Sequence, residues 1–285
     1  MKATKATKAV KAVKAVKAAK DEFTGMTDTD HPQDERTAEL GRSLAAVHRR
    51  IAAAVEAAGR QDSPDLVVVT KFHPAADVRR LYACGVRHVG ENRDQEARGK
   101  AAEVADLAEA GLEWHFIGQL QSNKAKYVVR YASAVHSVDR VSLVEALSSA
   151  MDREQGRRRE TGESMRPPMD CLIQVDLDDR AATDRPPGIG SRGGAHPDEV
   201  SGLAAAISQA EGLRLRGVMA VAPVGLDPAP AFQLLRQISG AVSSAHPEAT
   251  WISAGMSQDL EQAVAAGATH LRIGTDVLGP RPDVG

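Results

Sequence analysis

Short apolar runs alternate with helix-period stretches along most of this chain. Leu40, Leu44, Val47 and Ile51 recur at spacings of four, three and four. That spacing predicts one buried face of an amphipathic helix, and Gly59 is its natural stop. Eight apolar runs follow: 66–70, 87–90, 114–118, 134–138, 171–177, 215–221, 250–254 and 270–274. Helix-like segments separate them at 75–83, 93–109, 140–153, 198–209, 231–245 and 258–266. Unbroken apolar strands, each followed by a helix, predict a parallel sheet covered on both faces. Eight such units predict an α/β fold of the (β/α)8 TIM-barrel type in one domain, 37–285. An open doubly wound sheet is the alternative.

Residues 1–36 fall outside this rhythm. Lysine occupies positions 2, 5, 8, 11, 14, 17 and 20 without an intervening acid. The period of three drifts around a helix and interrupts every apolar stretch, so neither an amphipathic face nor a secretion signal forms. A solvated, disordered tail is expected, with a basic arm for nucleic acid as the alternative. Residues 21–36 read as its acidic linker. The whole chain balances 36 basic against 38 acidic side chains, a net charge of −2, which excludes a protein that coats nucleic acid wholesale. No apolar stretch reaches the ~18 residues of a membrane span. Two cysteines, Cys84 and Cys171, cannot build a disulfide framework, so a cytoplasmic setting is expected. Segments 156–170 and 178–194 are rich in charge, Gly and Pro and read as loops. The second holds Gly188-x-Gly190-x-x-Gly193, but it follows Pro186-Pro187 rather than a strand, so it does not read as a nucleotide site.

Function in a barrel collects where the strands end. Lys71 ends the run LVVVT, where an apolar surround would favour the neutral amine that attacks a carbonyl. A lysine snorkelling to solvent is the plainer alternative. Ser253-Ala254-Gly255-Met256-Ser257 and Gly274-Thr275 follow the last two strands, where backbone N–H groups often hold a phosphate. Ordinary helix caps and turns would use the same residues. Arg272, two residues before Gly274, shares its side of the strand. Facing inward it would need an acceptor: a ring nitrogen, or a carboxylate such as Glu91. No metal-binding spacing is present, and His115, His136 and His270 read as satisfied structural histidines.

Six segments then carry a resemblance: VVVTKFHPAADVRRLYACGVRHVGENRDQEA, WHFIGQLQSNKAK, HSVDR, LIQV, GVMAVAP and ISAGMSQDLEQAVAAGATHLRIGTDVLGPR. In this order they resemble the pyridoxal phosphate homeostasis protein family, single-domain relatives of the alanine racemase barrel. Gln119 and Phe72-His73 depart from residues common in those relatives. The resemblance implies pyridoxal 5'-phosphate at the C-terminal mouth, held as an internal aldimine on Lys71. It implies that Ser253, Met256, Ser257, Gly274 and Thr275 hold the phosphate, that Asn92 lies against the ring, and that Arg272 faces the pyridine nitrogen. An arginine there would leave that nitrogen unprotonated and weaken the ring as an electron sink.

Three functions compete. The favoured one is a carrier, not an enzyme, that buffers the cofactor and delivers it to pyridoxal-phosphate-dependent apoenzymes. A small amino-acid racemase would need a second proton-transfer group opposite Lys71. The chain ends 11 residues past Gly274, so no second domain is expected to supply it. A Schiff-base aldolase would use Lys71 with Glu91 or Lys124. A monomer is expected, and no membrane partner.

Overall fold

The computed structural model describes residues 32–184 and 193–281. By its internal contacts the chain divides into residues 1–36 and 37–285. The lysine tract, with its tail and basic-arm readings, lies outside the described residues, as do Gly188 and Gly190 of the glycine triplet.

Eight parallel strands pair in chain order and close into a barrel. They are β1 (Asp65–Val69), β2 (His88–Glu91), β3 (Glu113–Phe116), β4 (Ala134–Val138), β5 (Met169–Gln174), β6 (Leu213–Met219), β7 (Trp251–Ser253) and β8 (His270–Ile273). Closure comes from β8 returning to β1, with Val67 opposite Arg272 and Val68 opposite Ile273. Each run expected to be a strand is one, with edges displaced by at most three residues. The open-sheet alternative fails because both of its edges are paired to each other.

The helices are α1 (Pro32–Ala57), α2 (Ala75–Ala83), α3 (Asp94–Glu103), α4 (Ala105–Glu109), α5 (Ala125–Val128), α6 (Val141–Thr161), α7 (Val200–Gln209), α8 (Pro228–Ala245), α9 (Leu260–Ala265) and α10 (Thr275–Leu278). Leu40, Leu44, Val47 and Ile51 of α1 are all buried, as their spacing requires. The main core lies between strands and helices, where Val68, Trp114, Phe116, Val135, Ile173, Val218, Leu271 and Ile273 pack together with the apolar helix faces. Among the described residues no helix is long and apolar enough to cross a membrane.

The helix expected over 93–109 is broken at Val104 into α3 and α4, β5 begins at Met169 inside a segment read as loop, and two helices extend past their expected bounds. Helix α1 starts at Pro32, inside the segment read as linker. Proline suits the first helical position, where its missing N–H is not needed. Helix α6 runs on to Thr161, so residues 156–161 are helical rather than loop. Arg157 and Arg158 hold it through ion pairs to the buried Glu154 at 2.7 and 2.9 Å. Those pairs stand at i,i+3 and i,i+4, the separations that support a helix. The helix then ends at Gly162, whose φ of 73° is the left-handed stop that glycine supplies without strain.

Candidate functional site

A cleft of about 610 Å³ opens beyond the ends of β1, β6, β7 and β8. That is within the usual size of a small-molecule site. Lys71, Met256, Ser257, Arg272, Gly274 and Thr275 all line it. The chain thus brings the lysine after the first strand and the turns after the last two into one cavity. Its ionisable lining is mainly cationic, with Lys71, Arg272 and Arg281 against Asp259. In a chain of net charge −2 that is a local reversal suited to an anion.

Lys71 sits on a turn rather than in the strand, and its side chain is exposed. The apolar surround expected from LVVVT is therefore not what meets it. What the turn provides is rigidity. Phe72 takes a left-handed φ of 69°, the sole non-glycine residue in that region among those described. Such strain persists only where neighbours over-determine it. Here the Phe72 N–H donates to Glu96. Lys100 Nζ donates to the Thr70 carbonyl at 2.7 Å, to Glu91 Oε1 at 2.7 Å and to Glu96 Oε1 at 2.6 Å. Thr70 Oγ1 adds a bond to Glu91 at 2.7 Å. The backbone on either side of Lys71 is thus clamped to a buried ion-pair network. Burial pushes the Glu91 carboxyl up from its ordinary range, against the pull of Lys100. Sequence reasoning missed Lys100, because its position on α3 looks like that of any surface lysine.

Arg272 is buried on the cleft floor. Its Nη1 donates to Ser253 Oγ at 2.6 Å and its Nη2 to the Ala220 carbonyl at 2.8 Å. Glu91, expected as an alternative partner, is occupied by Lys100 and Thr70 instead. Burial lowers the Arg272 pKa to about 10, so the guanidinium stays charged at neutral pH. It has no carboxylate in its hydrogen bonds, which leaves a buried cation still wanting an acceptor.

Two predicted residues stand apart. Ser253, expected on the phosphate, is fully buried, and its hydroxyl is engaged by Arg272 and by His136 Nδ1 at 2.9 Å. It positions the arginine rather than lining the cavity. Asn92 does not line the cleft either; its Oδ1 is buried without a partner. The last residue of β7 points inward, and the turn to the cavity begins only after it. Gly255 makes that turn at φ 91°, and a Cβ there would come within 2.6 Å of the Ala263 methyl and 2.8 Å of Leu271. Met256 follows, its N–H held by Asp259 Oδ1 at 2.6 Å. The backbone N–H groups of Ser257 and Thr275 donate to no other backbone group of the described residues.

The barrel interior below Arg272 is polar. His115 Nδ1 meets His136 Nε2 at 2.8 Å, and His88 Nδ1 meets His115 Nε2 at 3.1 Å. With Ser253 this makes a continuous hydrogen-bonded chain from Arg272 to the opposite rim. His270 stacks on Trp251, ring centroids 4.3 Å apart. Of the strand histidines expected to be structural, His115 and His136 bond each other and His270 Nδ1 meets Thr269 Oγ1 at 2.8 Å. Burial holds His115 and His136 well below the ordinary histidine pKa, and brings His270 to about 3.

Comparison with known proteins agrees with this geometry. The alanine racemase N-terminal domain family matches residues 43–282. A pyridoxal phosphate homeostasis protein of Mycobacterium tuberculosis is 42% identical over 258 residues, covering 87% of this chain and 95% of that protein. Its namesake in Escherichia coli is 34% identical, covering 85% and 97%. Among solved structures, PipY of Synechococcus elongatus with pyridoxal phosphate bound is 33% identical, with a TM-score of 0.66 and coverage of 84% and 100%. The cationic cleft on a closed eight-strand barrel, and this extent of identity, make the chain a member of the pyridoxal phosphate homeostasis protein family.

Proposed function

We propose that this protein binds pyridoxal 5'-phosphate in the cleft, through a covalent link to Lys71, and holds it for delivery rather than turnover. The observation that carries the reading is Arg272: a buried guanidinium without a carboxylate partner, facing the same cavity as Lys71. When bound, the cofactor supplies an aldehyde carbon, a phosphate dianion and a pyridine nitrogen. Each has a counterpart among the lining residues. Lys71 Nζ offers the amine, on a turn held rigid by Lys100 and Glu96. Ser257 and Thr275 offer backbone N–H groups and hydroxyls for phosphate oxygens, with Met256 and Gly274 shaping the same wall. Arg272 donates toward the ring nitrogen and, remaining charged, keeps a proton off it. Asn92 and Ser253 act from outside the cavity wall.

Carriage rather than racemisation is supported by what the cleft offers for proton transfer. A racemase needs a donor opposite the lysine, and no tyrosine is among the lining residues. Tyr82 donates to the Ala110 carbonyl, and Tyr131 packs edge-on against Trp114. The aldolase reading loses its second group, since Glu91 is fully buried against Lys100 and Lys124 does not line the cleft. Recipient apoenzymes fit the same reading, as do a monomeric state and a cytoplasmic setting.

Borohydride treatment of protein loaded with the cofactor, followed by peptide mass mapping, tests the proposal. The reduced adduct is expected on the peptide containing Lys71. Lys71→Ala should lose the adduct and the visible absorbance while keeping the circular dichroism spectrum. An adduct on another lysine, or none on the wild-type chain, would overturn it.

A further inference from the structure

We propose that His88, Glu113 and His115 form a binding site for a divalent transition metal of the zinc class, at the opposite end of the barrel from the cofactor cleft. The strand register assembles it. His88 and Glu113 open β2 and β3 and are directly paired, and His115 lies two residues further along β3. Residues two apart on a strand share a face, so all three side chains converge inside the rim. Their ligand atoms face one another. His88 Nδ1 is 3.6 Å from Glu113 Oε2, His115 Nε2 is 4.0 Å from the same oxygen, and the two nitrogens are 3.1 Å apart. A point equidistant from three atoms so spaced lies about 2.1 Å from each, within the roughly 2.0–2.2 Å of zinc–nitrogen and zinc–carboxylate bonds.

The donor set selects the ion. Two imidazoles and one carboxylate suit zinc, copper or nickel, whereas magnesium and calcium prefer oxygen throughout. The site is reachable, because the side chains of His88 and Glu113 are 28% and 47% exposed while that of His115 is buried. Three protein ligands leave a fourth position on the solvent side. Arg214, the cation whose charge acts on Glu113, is already engaged by Asp170.

The outer contacts are also of the right kind. A metal on His115 Nε2 requires that nitrogen to be bare, so the ring proton sits on Nδ1 and donates to His136 Nε2. His136 then carries its own proton on Nδ1 and donates to Ser253 Oγ. A ligating histidine whose other nitrogen donates to a fixed acceptor is the usual arrangement around protein-bound zinc. A plain imidazole–imidazole hydrogen bond accounts for the 3.1 Å contact alone, but not for the carboxylate placed to complete the triangle.

The test uses the full untagged chain, stripped with chelator and titrated with Zn²⁺ by calorimetry, with Co²⁺ as an absorbance probe. One tightly held Zn²⁺ per chain is expected. His88→Ala and Glu113→Gln should each weaken it by roughly 10-fold or more, while His246→Ala, at the end of α8 and outside the triad, should not. Both test positions are partly exposed, and Glu113→Gln keeps the side chain's shape, so folded variants are expected and circular dichroism checks it. Absence of stoichiometric binding to the wild type, or binding indifferent to both substitutions, would overturn the proposal.

Discussion

Arg272 concentrates the physical tension of the site. Its charge is buried, its two hydrogen bonds go to a serine hydroxyl and a carbonyl, and no carboxylate is bonded to it. Replacing a buried ion by an apolar side chain of similar size is often neutral or stabilising. Arg272→Met should therefore unfold no more easily than the wild type. Cofactor affinity should fall by roughly 10- to 150-fold, the worth of a hydrogen bond to a charged group at about 1.5–3 kcal/mol. Unfolding curves and cofactor titration separate the two effects. Loss of stability with unchanged affinity would make Arg272 a structural residue only.

At the scale of elements, the turn between β1 and α2 depends on α3. Lys100 reaches from α3 to Thr70, Glu91 and Glu96, and Glu96 in turn takes the Phe72 N–H. Removing one partner of a buried pair strands the other charge. Lys100→Met should cost about 3–5 kcal/mol, measured by chemical denaturation. It should also speed cofactor release, because the turn carrying Lys71 loses its anchor. A loss of no more than about 0.5 kcal/mol, the size of an ordinary surface change, would show that the network is dispensable. The period of apolar residues located these elements, yet nothing in it distinguishes Lys100 from a solvated lysine. Only the packing of α3 against the ends of β1 and β2 does so.

Over the whole molecule, the barrel interior is a column of neutral imidazoles. His115, His136 and His270 are held below the ordinary value of 6.5, each primarily by burial, with His270 at about 3. Unfolded, each would take up a proton near pH 6.5. Below that pH the unfolded chain holds more protons, so stability present at neutral pH drains away as pH falls toward the folded values. Each group contributes a slope of up to about 1.4 kcal/mol per pH unit, and the three together about 4. Denaturation midpoints of metal-free protein should drop steeply between pH 6.5 and 5. A flat profile there would mean that water or counter-ions reach the interior and let the imidazoles charge.

How much of this was legible in one dimension follows from the range of the forces involved. Alternating apolar runs and helical periods are local consequences of burial, so eight strands, their order and the barrel could be read from the chain. Lys71, Met256, Ser257, Gly274 and Thr275 stand just past strand ends, where function in such a barrel gathers, and Arg272 stands within β8; all six line one cleft. Ser253 is buried beneath the cleft instead of lining it, because whether a strand's last residue faces inward or over the rim depends on the closure of the barrel. The clamp on Lys71 and the His88–Glu113–His115 triangle include contacts between residues as many as 30 positions apart. Strand register and helix packing, which act through space rather than along the chain, brought them together.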